Sequence, residues 1–225
     1  LVSHPLVDKI SFTGSTAVGK QILAGAANDL KRVSLELGGK SLVFVFPDAD
    51  LDRACEAVML GIFTNSGQVC AAGSRLFVHR DIYEDVLARL SAMTKSLAVG
   101  PGSNPANHIG PLISPAQKHR VLNYIESGKQ QGARVITGGD CPDSPGFFVN
   151  PTIFADTRPD MKIMAEEIFG PVLCATSFGD EDVDQLARRA NETPYGLAGA
   201  IWTKDIGRVH RLARLIQSGT IVVNA

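Results

Sequence analysis

Apolar residues along this chain follow two spacings in turn, and each change of spacing marks the start of a new element. Between Leu51 and Ile62 they recur at three- and four-residue steps, which predicts an amphipathic helix. Residues 41–46 form a continuous apolar run, which is typical of a strand buried on both faces. Strands that alternate with helices of this length predict an α/β fold with a parallel sheet and crossover helices.

The same alternation extends along the whole chain. The further predicted strands are residues 7–12, 32–37, 76–78, 133–137, 151–154, 172–178, 197–202 and 220–223. The further predicted helices are residues 82–97, 116–131, 182–191 and 206–217, with one more that contains Val18, Ile22, Leu23 and Ala26. The segment 100–115 is rich in glycine, proline and asparagine, which predicts an ordered loop.

Composition narrows the class of protein. The 225 residues carry 22 basic and 23 acidic side chains without a basic run, so neither nucleic acid nor an anionic membrane is expected as a partner. No apolar run approaches the roughly 18 residues of a membrane span. The four cysteines form no CxxC pair and no metal-ligand spacing with the five histidines, so no metal site is predicted. Reduced thiols predict a cytoplasmic protein, with an organelle matrix as the alternative.

One cysteine stands apart from the others. The helix pattern stops at residues 65–67, Asn-Ser-Gly, and Cys70 follows before the strand at residues 76–78. A thiol in a loop between a helix and a strand can be exposed, as a nucleophile must be. From this context alone, a buried cysteine that acts as a small hydrophobe is the more frequent alternative. Cys55 and Cys174 lie on apolar faces and should be shielded, whereas Cys141, in the loop 138–146, should be the most exposed.

The start of the chain has the features of an anion site. The strand at residues 7–12 runs into a turn at Gly14, and Ser15 or Thr16 could cap the helix that follows. Free backbone N–H groups and the helix dipole converge at such a helix N-terminus, which suits a phosphate.

A nucleotide triphosphatase is the alternative interpretation of this turn. Gly14, Gly19 and Lys20 match the GxxxxGK start of a phosphate-binding P-loop. Gln21 then occupies the position at which that motif needs Ser or Thr to hold magnesium, which argues against this class.

A carboxylate ends the second predicted strand. Glu36 lies at the end of residues 32–37 and immediately precedes the Leu37-Gly38-Gly39 turn, where the paired glycines allow a close approach. A carboxylate in this position could act as a general base, and a solvated glutamate in a turn is the alternative.

Four motifs, in this order, resemble those of the NAD(P)-dependent aldehyde dehydrogenase superfamily. They are FTGST at residues 12–16, ELGGK at residues 36–40, GQVC at residues 67–70 and EIFGP at residues 167–171. The resemblance covers residues 7–224 and corresponds to about half of a family member. The chain, which begins with Leu1 and stops within a strand, is therefore expected to be a fragment.

The resemblance implies a fold and two domains. A parallel-sheet aldehyde dehydrogenase-like catalytic domain would span residues 39–225 and be truncated at its C-terminus. A partial Rossmann-like cofactor domain would span residues 1–38. The resemblance also implies a small-molecule aldehyde substrate, NAD or NADP as the cofactor, and a homodimer or homotetramer for the full-length parent.

The resemblance assigns roles to individual residues. Cys70 would be the nucleophile that attacks the aldehyde, and Glu36 would activate the water that releases a carboxylic acid. The cofactor's pyrophosphate and adenosine end would be lined by Gly14, Ser15 and the helix of Val18. Its nicotinamide end would meet the backbone of Leu37 and Gly38, with Glu167 on the ribose and Phe169 packed beside it.

Two alternatives to this enzyme stay open at the level of sequence. In a CoA-acylating member of the same superfamily, CoA takes the acyl group in place of water, and the presence of Glu36 argues for hydrolysis. A structural or binding module would keep the fold without the chemistry, and the truncated chain fits that description.

Overall fold

Two strands and one helix make up the first of two compact units, Leu1–Gly39, in a computed structural model that describes all 225 residues. The elements are β1 (Lys9–Thr13), α1 (Thr16–Ala27) and β2 (Arg32–Glu36). The two strands pair in parallel, from Lys9↔Arg32 to Thr13↔Glu36, and they pair with no other strand. The predicted cap is present, because the Ser15 hydroxyl accepts a hydrogen bond from the Val18 N–H at 3.3 Å.

The second unit, Lys40–Ala225, is built on a sheet of seven strands. The strands are β3 (Leu42–Val45), β4 (Arg75–His79), β5 (Arg134–Thr137), β6 (Thr152–Ala155), β7 (Val172–Phe178), β8 (Ala198–Trp202) and β9 (Thr220–Val223). The helices are α2 (Leu51–Phe63), α3 (Tyr83–Lys95), α4 (Pro115–Gln130), α5 (Lys162–Ala165), α6 (Val183–Ala190) and α7 (Ile206–Leu215). The spatial order of the strands is β5-β6-β7-β4-β3-β8-β9, and only the β5–β6 pair is antiparallel.

Both faces of the sheet are covered, which explains why strand β3 is apolar throughout. All four residues of β3 are buried. Because side chains alternate along a strand, Val43 and Val45 pack into one core cluster with α2 and α3, and Leu42 and Phe44 pack into the other with α4, α6 and α7. The predicted α/β class with a mostly parallel sheet is thus confirmed.

The differences from the predicted elements lie at the short segments. Helix α5 has only four residues and was not predicted, because one turn carries no periodic signal. The antiparallel direction of the edge strand β5 was also missed, since a run of four residues does not show its direction. No helix is long and apolar enough to cross a lipid bilayer.

Candidate active site

The cysteine loop, residues 64–74, joins the end of α2 to the start of β4. Its first turn contains three consecutive residues with positive φ: Asn65 at 51°, Ser66 at 57° and Gly67 at 71°. Non-glycine residues seldom adopt this left-handed region, and a run of three reverses the chain sharply. The predicted end of the helix pattern at residues 65–67 therefore corresponds to a real break in the backbone.

Gly67 brings two of the sequence motifs into contact. A Cβ atom built on Gly67 would lie 2.1 Å from the carbonyl oxygen of Gly170, so only a glycine leaves room for this approach. The turn on the other side of the contact is also strained, because Phe169 has a φ of 59°. The structure thus places the cysteine loop against the segment that contains Glu167 and Phe169.

We expect Gly67→Ala to destabilise the second unit by at least about 2 kcal/mol, because it adds the cost of a left-handed alanine to a clash with backbone. Urea unfolding measures the change. Gly61→Ala is the matched control, since Gly61 is exposed in α2 and a Cβ atom added there would have no neighbour within 4 Å. That control should gain up to about 1 kcal/mol from helix propensity. Equal stability of the two variants would show that the Gly67–Gly170 contact is unimportant.

Two residues of α4 hold the segment around Glu167, and neither is marked by any pattern in the sequence. The Gln117 side-chain amide donates to the carbonyl oxygens of Ile168 at 3.1 Å and Phe169 at 2.7 Å. The Arg120 guanidinium donates to the carbonyl oxygen of Glu167 at 2.7 Å. Polar residues on a helix face are ordinarily solvated, so the pattern alone does not distinguish these two.

The cysteines differ in environment largely as predicted. Cys55 and Cys174 are buried, and this burial raises the pKa of each thiol to about 11. Cys70 is half-buried. With respect to Cys70, the expectation that Cys141 is the most exposed of the four stays a prediction, because Cys141 is half-buried as well. Its loop is tied down by Asn150, which donates to Asp140 from its backbone at 3.1 Å and from its side chain at 2.7 Å.

Alkylation should distinguish these thiols. At about pH 8 a thiol with a pKa of about 11 is ionised in roughly one molecule in a thousand, so Cys55 and Cys174 should stay unmodified. We expect limited iodoacetamide treatment of the native chain, followed by peptide mapping, to modify Cys70 first. Preferential labelling of Cys55 or Cys174 would remove Cys70 from its assigned role.

Cys70 also borders an apolar cavity with a volume of about 400 Å³. No charged side chain lines this cavity. Its walls come from α2, β3, β8 and β9, with Val58, Leu42, Trp202 and Val222 among the lining residues. The thiol is therefore next to an apolar surface.

The predicted cofactor residues of the first unit gather at the carboxyl ends of its two strands. The Gly14 N–H donates to the carbonyl oxygen of Glu36 at 3.0 Å, which joins the turn after β1 to the end of β2. A Cβ atom on Gly19 would lie 2.6 Å from the Leu37 side chain, so Leu37 packs closely on α1. The Val18 side chain is exposed on that helix, and Gly38 follows Leu37 directly. Ligands of parallel α/β sheets ordinarily bind at this end of the strands.

Lys40, the last residue of the ELGGK motif, has an environment that the sequence did not indicate. Its side chain is buried, and its ammonium nitrogen has no hydrogen-bond partner. Burial lowers its pKa to about 8, with smaller opposing effects from Cys174 and Glu167 among others. The Lys40 carbonyl oxygen accepts a hydrogen bond from the buried Arg75 guanidinium at 2.8 Å.

Comparison with known proteins identifies the family. The family model described as "Aldehyde dehydrogenase family" matches residues 1–225. The mitochondrial aldehyde dehydrogenase of Leishmania tarentolae is 47% identical over 225 residues, which are 100% of this chain and 45% of that protein. A betaine aldehyde dehydrogenase of Sinorhizobium fredii is 46% identical over 227 residues, which are 100% of this chain and 46% of that protein.

A solved structure agrees with this result. The aldehyde dehydrogenase of Bacillus cereus in its NAD+ complex superposes with a TM-score of 0.95 at 45% identity, over 99% of this chain and 45% of that one. The chain thus spans about half the length of the relatives it matches, and the predicted resemblance is confirmed: it belongs to the aldehyde dehydrogenase family.

Proposed function

We propose that this chain supplies the nucleophile and the general base of an enzyme that oxidises an aldehyde to a carboxylic acid with NAD+ or NADP+. The observation that carries the proposal is the contact of the cysteine loop with the Glu167–Gly170 turn through Gly67. This contact holds the loop that carries the Cys70 thiol against the turn that contains Glu167, the candidate ligand of the ribose. The names of the relatives, an aldehyde dehydrogenase and a betaine aldehyde dehydrogenase, support the same reaction class.

Cys70 begins the reaction as a nucleophile. Its thiolate sulfur forms a bond to the aldehyde carbon, and the carbonyl π electrons move to the oxygen, which gives a tetrahedral adduct on the protein. The Cys70 N–H makes no hydrogen bond within the protein and can therefore donate to that oxyanion. Oxidation is easier from the tetrahedral adduct than from the planar carbonyl, because the adduct carbon can expel a hydride as its oxygen regains the double bond.

The cofactor roles that the family resemblance implies can be stated residue by residue. When bound, NAD+ or NADP+ supplies the acceptor for the hydride that leaves the adduct, and a thioester remains on Cys70. In the first unit, Gly14 and Ser15 at the start of α1 would hold the pyrophosphate. Val18 would lie at the adenosine end, while the backbone of Leu37 and Gly38 would approach the nicotinamide.

The segment 167–170 is proposed to hold the nicotinamide ribose. The Glu167 carboxylate would bind its hydroxyl groups, and Phe169 would pack beside it. Gln117 and Arg120 keep the backbone of this segment in place through their three hydrogen bonds. These hydrogen bonds would thereby orient Glu167, the proposed ligand of the nicotinamide ribose.

Glu36 would complete the cycle as a general base. Its carboxylate takes a proton from water, the resulting hydroxide attacks the thioester carbon, and the C–S bond breaks to release the acid and the Cys70 thiolate. The Glu36 carbonyl oxygen accepts a hydrogen bond from the Gly14 N–H, which fixes the backbone, and the Glu36 side chain is exposed.

A chimera tests this proposal directly. Residues 1–225 would replace the matching segment of the Bacillus cereus enzyme, whose NAD+ complex has the same fold. Aldehyde oxidation is then measured with NAD+ and NADP+, with and without CoA, and the product is identified by mass spectrometry. A free acid as the product and complete loss of turnover in Cys70→Ala would support the proposal. An acyl-CoA product would indicate the CoA-acylating alternative instead.

A further inference from the structure

A fixed segment of chain runs beside the cysteine loop. This segment, residues 109–113, is called the strap. Ile109 and Leu112 are each 2% exposed, and they belong to core clusters on opposite faces of the sheet. Its backbone is bonded as well: the Ile109 N–H donates to Ala98 at 3.0 Å and the Leu112 N–H donates to Phe147 at 2.9 Å. The strap is therefore a rigid support on which a neighbouring loop can be fastened.

Two side chains of the cysteine loop bind the strap. The Ser66 hydroxyl donates to the carbonyl oxygen of Gly110 at 2.8 Å. The Gln68 side-chain oxygen accepts a hydrogen bond from the Ile113 N–H at 2.9 Å, and its side-chain nitrogen donates to the Asn65 carbonyl oxygen at 3.2 Å. Gln68 therefore uses one end of its amide to reach the strap and the other to close the turn before Cys70.

Cys70 depends on these neighbours for its position. Its own N–H and thiol make no hydrogen bond to the protein. On the C-terminal side, the loop is fixed by the Gly73 N–H, which donates to Gly61 at 3.2 Å. On the N-terminal side, Val69 packs against the core cluster of α2 and α3, and the nearest side-chain hydrogen bonds are those of Gln68, two residues away.

The conformation before Cys70 would not persist without such support. Asn65 and Ser66 occupy the left-handed region, which costs energy for residues with a side chain and lasts only where the surroundings impose it. We propose that Gln68 is a positioning residue for Cys70: its amide fastens the strained turn to the strap and thereby fixes the sulfur. This inference rests on the proposed role of Cys70 as the nucleophile.

The test compares two substitutions in the 225-residue chain. Gln68→Met keeps the length of the side chain and removes both hydrogen bonds, whereas Gln68→Glu keeps the oxygen that accepts from Ile113. Amide hydrogen exchange over residues 65–73 and at Ile113 should become more than about fivefold faster in the Met variant, since one lost hydrogen bond alone gives that factor and this variant loses two. The Glu variant, which keeps the bond to the strap and loses only the bond to Asn65, should be about fivefold faster than the wild type and slower than the Met variant.

Thiol chemistry gives a second measurement that a purely structural role would not change. The rate of Cys70 alkylation by iodoacetamide is measured between about pH 6 and pH 10, with Cys141 as the internal reference. In Gln68→Met the released, half-buried thiol should react about fivefold faster at the high-pH plateau, with the same pH midpoint, because position changes and charge does not. Gln68→Glu, which keeps the bond to the strap, should give a plateau rate between those of the wild type and Gln68→Met.

Gln130→Met is the matched control. Gln130 and Glu126 are both exposed on helix α4, and the Gln130 side-chain amide donates only to the Glu126 carboxylate, at 2.9 Å. It should change neither measurement. Wild-type exchange in Gln68→Met, or equal loosening in the Met and Glu variants, would overturn the proposal. Should Gln68→Met unfold the whole unit, Gln68→Glu decides alone: exchange about fivefold faster over residues 65–73 supports the proposal, and wild-type exchange overturns it. Neither readout needs cofactor or turnover, so failure of the proposed reaction in the chimera is detected separately.

Discussion

Residues 1–225 alone should oxidise aldehydes at less than about 1% of the rate of the Bacillus cereus chimera, because a misplacement of about 1 Å costs a hundredfold. Hydride transfer needs a nicotinamide held close to the Cys70 adduct, and that requires a complete dinucleotide site. The first unit offers one strand–turn–helix, and its sheet has only two strands. A dinucleotide-binding half normally contains a larger parallel sheet, and a sheet of two strands is marginally stable.

Calorimetry with NAD+ and NADP+, together with an aldehyde oxidation assay, checks this prediction on the chain as it stands. The chimera, assayed under the same conditions, controls for the substrate and the buffer. Micromolar binding combined with measurable turnover by residues 1–225 would show that the cofactor site is complete. Because β1 and β2 each keep one unpaired edge, self-association should be followed by light scattering in parallel.

Glu36→Gln in the chimera should slow deacylation by about 10²–10⁴-fold and leave acylation nearly unchanged, since loss of a positioned general base costs this much. The amide has the size of the carboxylate but cannot take a proton from water. Rapid mixing should show a burst of NADH or NADPH, followed by slow turnover. Intact-mass measurement should find the acyl group on the peptide that contains Cys70.

Glu56→Gln serves as the control for this experiment, because Glu56 is exposed on α2 and has no proposed role. It should show neither the burst nor the acyl adduct. Unchanged steady-state turnover in Glu36→Gln would exclude Glu36 from the mechanism.

The sequence was sufficient for the elements with long periodic patterns. The helix predicted at residues 51–62 is observed as Leu51–Phe63, and the apolar run at residues 41–46 contains the buried strand Leu42–Val45. These two predictions are correct because burial of one face of a helix, or of both faces of a strand, imposes a regular pattern of apolar residues over many positions. A four-residue helix such as α5 imposes no such spacing, and it was missed.

The residues of the candidate site could likewise be predicted only in part from the sequence. Gly67 was identified as a helix breaker, but its contact with Gly170 depends on a fold that brings distant segments together. Lys40 would be placed on the surface by its residue type, whereas the structure buries it. Gln68, Gln117 and Arg120 act through hydrogen bonds to the backbone of distant residues, which leave no repeat in the sequence.

The hydrogen bonds from the cysteine loop to the strap also bear on the order in which the protein folds. Ser66 and its partner Gly110 are 44 residues apart in the chain, and Gln68 and Ile113 are 45 apart. Bringing such distant residues together costs chain entropy before their hydrogen bonds can stabilise the fold, so these contacts form late. We therefore expect the cysteine loop to become ordered late, so that the sulfur of a newly made chain stays open to oxidants until the strap is in place.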